Sequence, residues 1–165
     1  MYKLLVTILL SIQLIGCVDN KNVNTPPNWR VADKEDAIDD WARFDSPNKI
    51  INDFNGDGKK DIAQILVSSD SEKGYNFVVE IGERQFLLES NNEITPQSVA
   101  IELIKPSNST FESACAKGYW ECEANEIRQF KITKPSIQFC YIESACSIFI
   151  WSERKNDFIR IPISD

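Results

Sequence analysis

The chain of 165 residues carries 25 acidic against 18 basic side chains, a formal charge of −7, and contains no histidine. Nucleic acid and anionic lipid are disfavoured as partners by that balance, and a basic protein is favoured. Without histidine no Ser-His-Asp triad, Cys-His pair or His-ligated zinc centre can be built, so among the common hydrolase designs a two-carboxylate glycosidase survives.

Residues 1–17 read MYKLLVTILLSIQLIGC. Lys3 precedes an apolar run from Leu4 to Ile15, shorter than the roughly 20 residues of a membrane span. A basic start, a short apolar middle and small residues at the end have the form of an export signal. Leu14-Ile15-Gly16-Cys17 resembles the lipobox of bacterial lipoproteins, in which the cysteine thiol receives a diacylglyceryl group and becomes the mature N-terminus. The alternative is an ordinary secretory signal with an incidental cysteine. The lipobox resemblance implies lipidation of Cys17 and contact with the membrane through that lipid alone. Because Val18 stands where an inner-membrane retention aspartate would, it also implies an outer-membrane site facing the periplasm. Removal of the signal leaves 17 basic against 25 acidic side chains, a net −8.

Residues 18–30, VDNKNVNTPPNWR, are polar and proline-containing and read as a flexible tether, leaving 31–165 as one domain. In ADKEDAIDDWARFD, Ala37, Trp41 and Phe44 fall at i, i+4 and i+7, and Asp33 can cap the start, which predicts a short amphipathic helix. Its early acids suit the positive end of a helix dipole. The alternative is an acidic loop with one buried tryptophan.

Next comes NDFNGDGKKDIAQILV, from Asn52. Asp53, Asn55 and Asp57 alternate, which turns their oxygens inward as the chain curls. Gly58 at the sixth place allows a sharp turn, Lys59 at the seventh can offer its carbonyl, and Asp61 adds a carboxylate. Such oxygen-rich spacing is what Ca²⁺ takes. The twelfth place is Gln64, not the bidentate glutamate of an EF-hand, and IAQILV after Asp61 is β-like rather than helical. The alternative is a solvated turn, since Asn-Gly and Asp-Gly form turns readily. DFNGDGKKDIA resembles the calcium loop of FG-GAP or VCBS-type repeats, in which the loop joins two strands. That resemblance implies Asp53, Asn55, Asp57, the Lys59 carbonyl and Asp61 as Ca²⁺ ligands. A single copy of the motif does not supply the several blades of a propeller, so a propeller-fragment-like domain is expected.

Eight short runs follow: IAQILVSS, YNFVVEIG, RQFLLES, SVAIELIK, EIRQFKIT, SIQFCYIE, CSIFIWSE and DFIRIPIS. Each is rich in Ile, Val, Phe and Tyr and is separated from the next by turn residues. They predict a mainly β fold: a small antiparallel β domain of about 7–8 strands with one short N-terminal helix. Cys115, Cys122, Cys140 and Cys146, an even set in an exported chain, read as two disulfides; a zinc site finds no Cys-x-x-Cys pair to support it. A hairpin centred on Glu143 sets Cys140 opposite Cys146 and leaves Cys115 and Cys122 to close CAKGYWEC. Crossed pairing is the alternative. Within that ring Lys117, Tyr119 and Trp120 are candidate partner-binding residues, unless the two aromatics fold back over the core.

The C-terminal block, ACAKGYWECEANE through SIFIWSERKNDFIRIPISD, is loosely similar to periplasmic lysozyme-inhibitor and immunity lipoproteins. That similarity implies an inhibitor of a peptidoglycan hydrolase, without enzymatic activity of its own. A calcium-stabilised envelope binding module and a carboxylate-only glycosidase are the alternatives.

Overall fold

The computed structural model describes residues 25–44 and 49–165. Residues 1–24, with the expected export signal, Cys17 and most of the expected tether, lie outside the described residues. In chain order the elements are β1 (Trp29–Val31), the 3-10 turn η1 (Lys34–Asp36), α1 (Asp39–Phe44), β2 (Lys49–Asn52), β3 (Asp61–Ser68), β4 (Tyr75–Ile81) and β5 (Arg84–Asn91). There follow η2 (Pro96–Ser98), β6 (Val99–Ile104), β7 (Thr110–Glu112), β8 (Gln129–Lys131), β9 (Ser136–Tyr141), β10 (Cys146–Ser152) and β11 (Asp157–Pro162). The protein is a mainly β domain with antiparallel sheets and one α-helix among the described residues.

Each of the eight apolar runs contains a strand. Three more strands (β1, β2 and β7) lie outside those runs, and β1 begins inside the segment that reads as tether. β1 and β7 have three residues and β2 four, too few for any alternation of side chains to stand out.

The first sheet has the order β1-β3-β4-β5, with β2 sharing the edge of β3 that β1 also uses; the second has the order β11-β10-β9-β6. The two face each other across one apolar core. Phe77 stacks on Phe139 at 5.4 Å and meets Phe149 edge-on at 5.6 Å, while Phe86 meets Trp151 at 5.6 Å. Aromatic pairs in these offset and edge-on geometries add about 0.5–1.5 kcal/mol beyond the area they bury. β3 and β4 are buried along nearly their whole length, which explains their unbroken Ile-Leu-Val and Phe-Val-Val runs. A two-stranded ribbon, β7-β8, belongs to the segment that follows β6.

The helix expected over ADKEDAIDDWARFD forms as two pieces. Asp33 and Asp36 make a reciprocal capping box, with the Glu35 amide donating to Asp33 at 2.8 Å and the Asp33 amide to Asp36 at 2.8 Å. Arg30 of β1 then clamps the Asp36 carboxylate through two bonds of 2.6 and 2.7 Å. Gln97 donates to the Asp36 carbonyl at 3.1 Å, engaging an oxygen that an unbroken helix would use internally. The chain therefore breaks at exposed Ala37 and Ile38 and restarts at Asp39. Trp41 holds the second piece in place: it is 3% exposed and its indole donates to the Val99 carbonyl at 2.6 Å.

Candidate functional site

The acidic loop joins β2 to β3, whose register sets Asn52 opposite Asp61. Its one apolar residue anchors it. Phe54 is fully buried in the core, and its amide donates to Asp61 Oδ2 at 2.9 Å. Around that anchor the side-chain oxygens collect backbone amides. Asp53 Oδ1 accepts from Gly56 at 2.7 Å and Asp57 at 3.1 Å, and Asp53 Oδ2 accepts from Gly58 at 2.9 Å. Asn55 Oδ1 accepts the Asp57 amide at 3.0 Å, and Asp57 Oδ1 the Lys59 amide at 2.8 Å. Gly56 and Gly58 have φ of 79° and 84°, a backbone state that glycine enters at little cost.

The electrostatics divide the three acids. The Lys59 amide, helped by the Asn55 side chain, holds the Asp57 carboxyl below its ordinary range. Burial pushes the Asp61 carboxyl up, with the amides of Phe54 and Asn55 opposing and the charges of Asp57 and Asp53 adding to the rise. Asp61 is 2% exposed, so a carboxylate there is favoured by a cation beside it.

The donor set, carboxylates and an amide oxygen on a turning backbone, fits a hard divalent cation such as Ca²⁺. Gln64 stands apart from it: on β3 it lies an odd number of residues from Asp61, so it faces the other side of the sheet, where it donates to Glu80 at 3.0 Å. Lys59 is exposed. Among the described residues, the group of three His, Cys, Asp or Glu ligand atoms lying within 4.8 Å of one another is Cys115, Cys122 and Glu126, not the loop acids. Those two sulfurs are bonded to each other and offer no thiolate.

Both disulfides are local: Cys115–Cys122, with Cα atoms 5.0 Å apart, and Cys140–Cys146, with Cα atoms 4.1 Å apart. The second crosses the β9–β10 hairpin at directly opposed positions, around a turn in which Glu143 has φ of 61°. The first closes CAKGYWEC. Inside that ring Gly118 turns at φ of 91°, and its amide donates to the Cys115 carbonyl at 3.0 Å. Tyr119 is 51% and Trp120 36% exposed, so the two aromatics do not fold back into the core. The Trp120 indole donates to the Glu126 carboxylate at 3.1 Å, which fixes the ring at the surface. Lys117 is tied back, its ammonium donating to the Ile163 carbonyl at 2.8 Å.

Two residues beyond the expected ligands complete the picture. Phe54 carries a visible signal, an aromatic inside an acidic loop. Lys134 carries none, yet it donates to the Asn55 carbonyl at 2.6 Å from 79 residues away. No family model, curated protein or solved structure matches the chain.

Proposed function

We propose that the protein is an exported lipoprotein whose calcium-braced β domain binds a basic peptidoglycan hydrolase and inhibits it. The observation that carries the binding half is the disulfide-closed loop with Tyr119 and Trp120 turned to solvent. A closed ring loses little conformational freedom on binding, and exposed Tyr and Trp are the side chains that most often dominate interface energy. The net charge of −8 after signal removal steers a basic partner toward it. Ca²⁺ is assigned to Asp53, Asn55, Asp57, the Lys59 carbonyl and Asp61, where it neutralises crowded carboxylates and stiffens the β2–β3 connection. Its role is a brace, not catalysis. Lipid on Cys17 holds the domain at the outer membrane, facing the periplasm.

The test is capture from envelope extract on the immobilised domain, followed by wall digestion in its presence. A retained peptidoglycan hydrolase whose digestion slows is the expected outcome. Tyr119→Ala with Trp120→Ala weakens its binding by about thirty-fold, as loss of a hot spot does. Failure to retain or slow any such hydrolase overturns the inhibitor reading, and capture with undiminished digestion leaves a binding module. Cys17→Ser releases the protein from membranes; a variant that still sediments with them removes the lipid anchor.

A further inference from the structure

The second sheet has an outer face, and the chain covers only part of it. In β10 and β11, Ile148 opposes Ile161 and Ile150 opposes Ile159, and by alternation these residues point away from core Phe149. The first pair is buried, Ile148 at 2% and Ile161 at 4% exposure. The chain between β6 and β9 supplies buried Ala114, Cys115 and Ile132 outside the main core, and the Ala114 amide donates to the Pro162 carbonyl at 2.8 Å. At the next pair the cover ends: Ile150 and Ile159 are half-buried. There a groove of about 360 Å³ opens between the disulfide-closed loop and β11, with Trp120 and Ile127 on one wall and Ile159 and Pro162 on the other.

Its charge runs against that of the molecule. Arg154 and Lys155 line the groove from the β10–β11 turn, and the side chain of neither makes an ion pair or hydrogen bond among the described residues, the Lys155 amide alone donating to the Ser152 hydroxyl. The remaining charged groups of the lining are Glu126, engaged by the Trp120 indole, and Arg160, paired with Glu89. The turn that carries the two free cations is fixed from both sides. Lys134 pairs with Glu153 at 2.7 Å, and Arg84 donates to the Asn156 carbonyl at 3.1 Å.

We infer that this groove docks an apolar peptide segment bearing carboxylates, its side chains continuing the cover over Ile159 and its acids meeting Arg154 and Lys155. In a protein with a surplus of acids, two unpaired cations on a fixed turn beside an apolar floor complement that chemistry, and the rigid turn lowers the cost of binding. The inference shares Trp120 with the binding loop proposed above but needs neither calcium nor a hydrolase, so either reading can fail without the other.

The experiment follows amide and indole resonances of the ¹⁵N-labelled mature chain carrying Cys17→Ser. Three acetylated peptides are titrated: Leu-Glu-Ile-Asp-Leu amide, its Gln/Asn counterpart, and that counterpart with a free C-terminal carboxylate. The acidic peptide is expected to move the Trp120 indole and the Ile127 and Ile159 amides, with affinity that falls as salt rises. Arg154→Ser with Lys155→Ser, on an exposed turn, weakens it about five-fold at an unchanged melting temperature. Equal binding by the third peptide identifies a chain end as the carboxylate source; binding by the first alone identifies side chains. Unmoved groove resonances, equal shifts with the uncharged amide, or shifts produced by a chitooligosaccharide in place of the peptides overturn the inference.

Discussion

The Lys134 ammonium donates to the carbonyl of Asn55 at 2.6 Å, joining the acidic loop to a residue 79 positions further along the chain. The same ammonium pairs with Glu153 at 2.7 Å and holds that carboxyl below its ordinary range. One cation thus binds the β2–β3 loop to the β10–β11 turn.

Lys134→Met removes both contacts, and loss of the bond to the Asn55 carbonyl is expected to cost about 1–2 kcal/mol, the range of a hydrogen bond to a charged group discounted for exposure. Gly56→Ala is expected to cost a similar amount, about 1–2 kcal/mol, because φ is positive there. A Cβ at Gly56 would also stand 2.8 Å from the Lys134 Nζ. The double variant should fall short of the sum, since a methionine no longer tethered to Asn55 and Glu153 can swing clear of the new Cβ. Urea midpoints decide this, and an unchanged midpoint for Lys134→Met shows that the bridge contributes nothing.

Calcium is expected to raise the melting midpoint relative to chelator. At a concentration ten times the dissociation constant the gain is about 1.4 kcal/mol. Asp57→Asn removes the charge of a proposed ligand while keeping the shape of the side chain, and should abolish the calcium-dependent shift. Asp53→Ala is a poorer choice, because Asp53 also accepts three backbone amides. Identical midpoints in calcium and chelator count against the brace.

Cys140→Ser with Cys146→Ser should lower stability by about 2.5 kcal/mol, from the entropy that a small closed ring removes from the unfolded chain. Peptide mapping without reduction should recover Cys140 linked to Cys146 and Cys115 linked to Cys122.

The Arg30 clamp predicts a pH dependence. Hydrogen bonds from Arg30 hold the Asp36 carboxyl below its ordinary range, while burial opposes them. As pH falls the unfolded chain takes up its proton first, so the stabilisation is complete above the ordinary carboxylate range of about 4 and is lost as pH drops through the folded value. Arg30 is 44% exposed, which limits the effect to about 1 kcal/mol. Arg30→Gln should remove this part of the acid sensitivity, read as urea midpoints from about pH 5 downward. Identical acid profiles for the two proteins refute the clamp.

The sequence alone determined what local spacing can encode. Unbroken apolar runs marked β3 and β4, because a strand buried on both faces carries apolar side chains throughout, and short Ile- and Phe-rich runs bounded by turns marked the β9–β10–β11 meander. The spacing of Cys140 and Cys146 about Glu143 was enough to set them opposite each other, since a hairpin register is a local property. The D-x-N-x-D-G spacing likewise marked a sharp turn at Gly58, where φ is 84°, without knowledge of the rest of the chain. Tertiary structure decided everything that depends on distant partners. It split the predicted helix by directing Arg30 and Gln97 to Asp36, it held Trp120 at the surface by occupying its indole with Glu126, and it brought Lys134 to Asn55. It also left Ile159 half-buried beside Arg154 and Lys155. Those outcomes turn on which surfaces meet once the sheets close, and no periodicity in the chain records that.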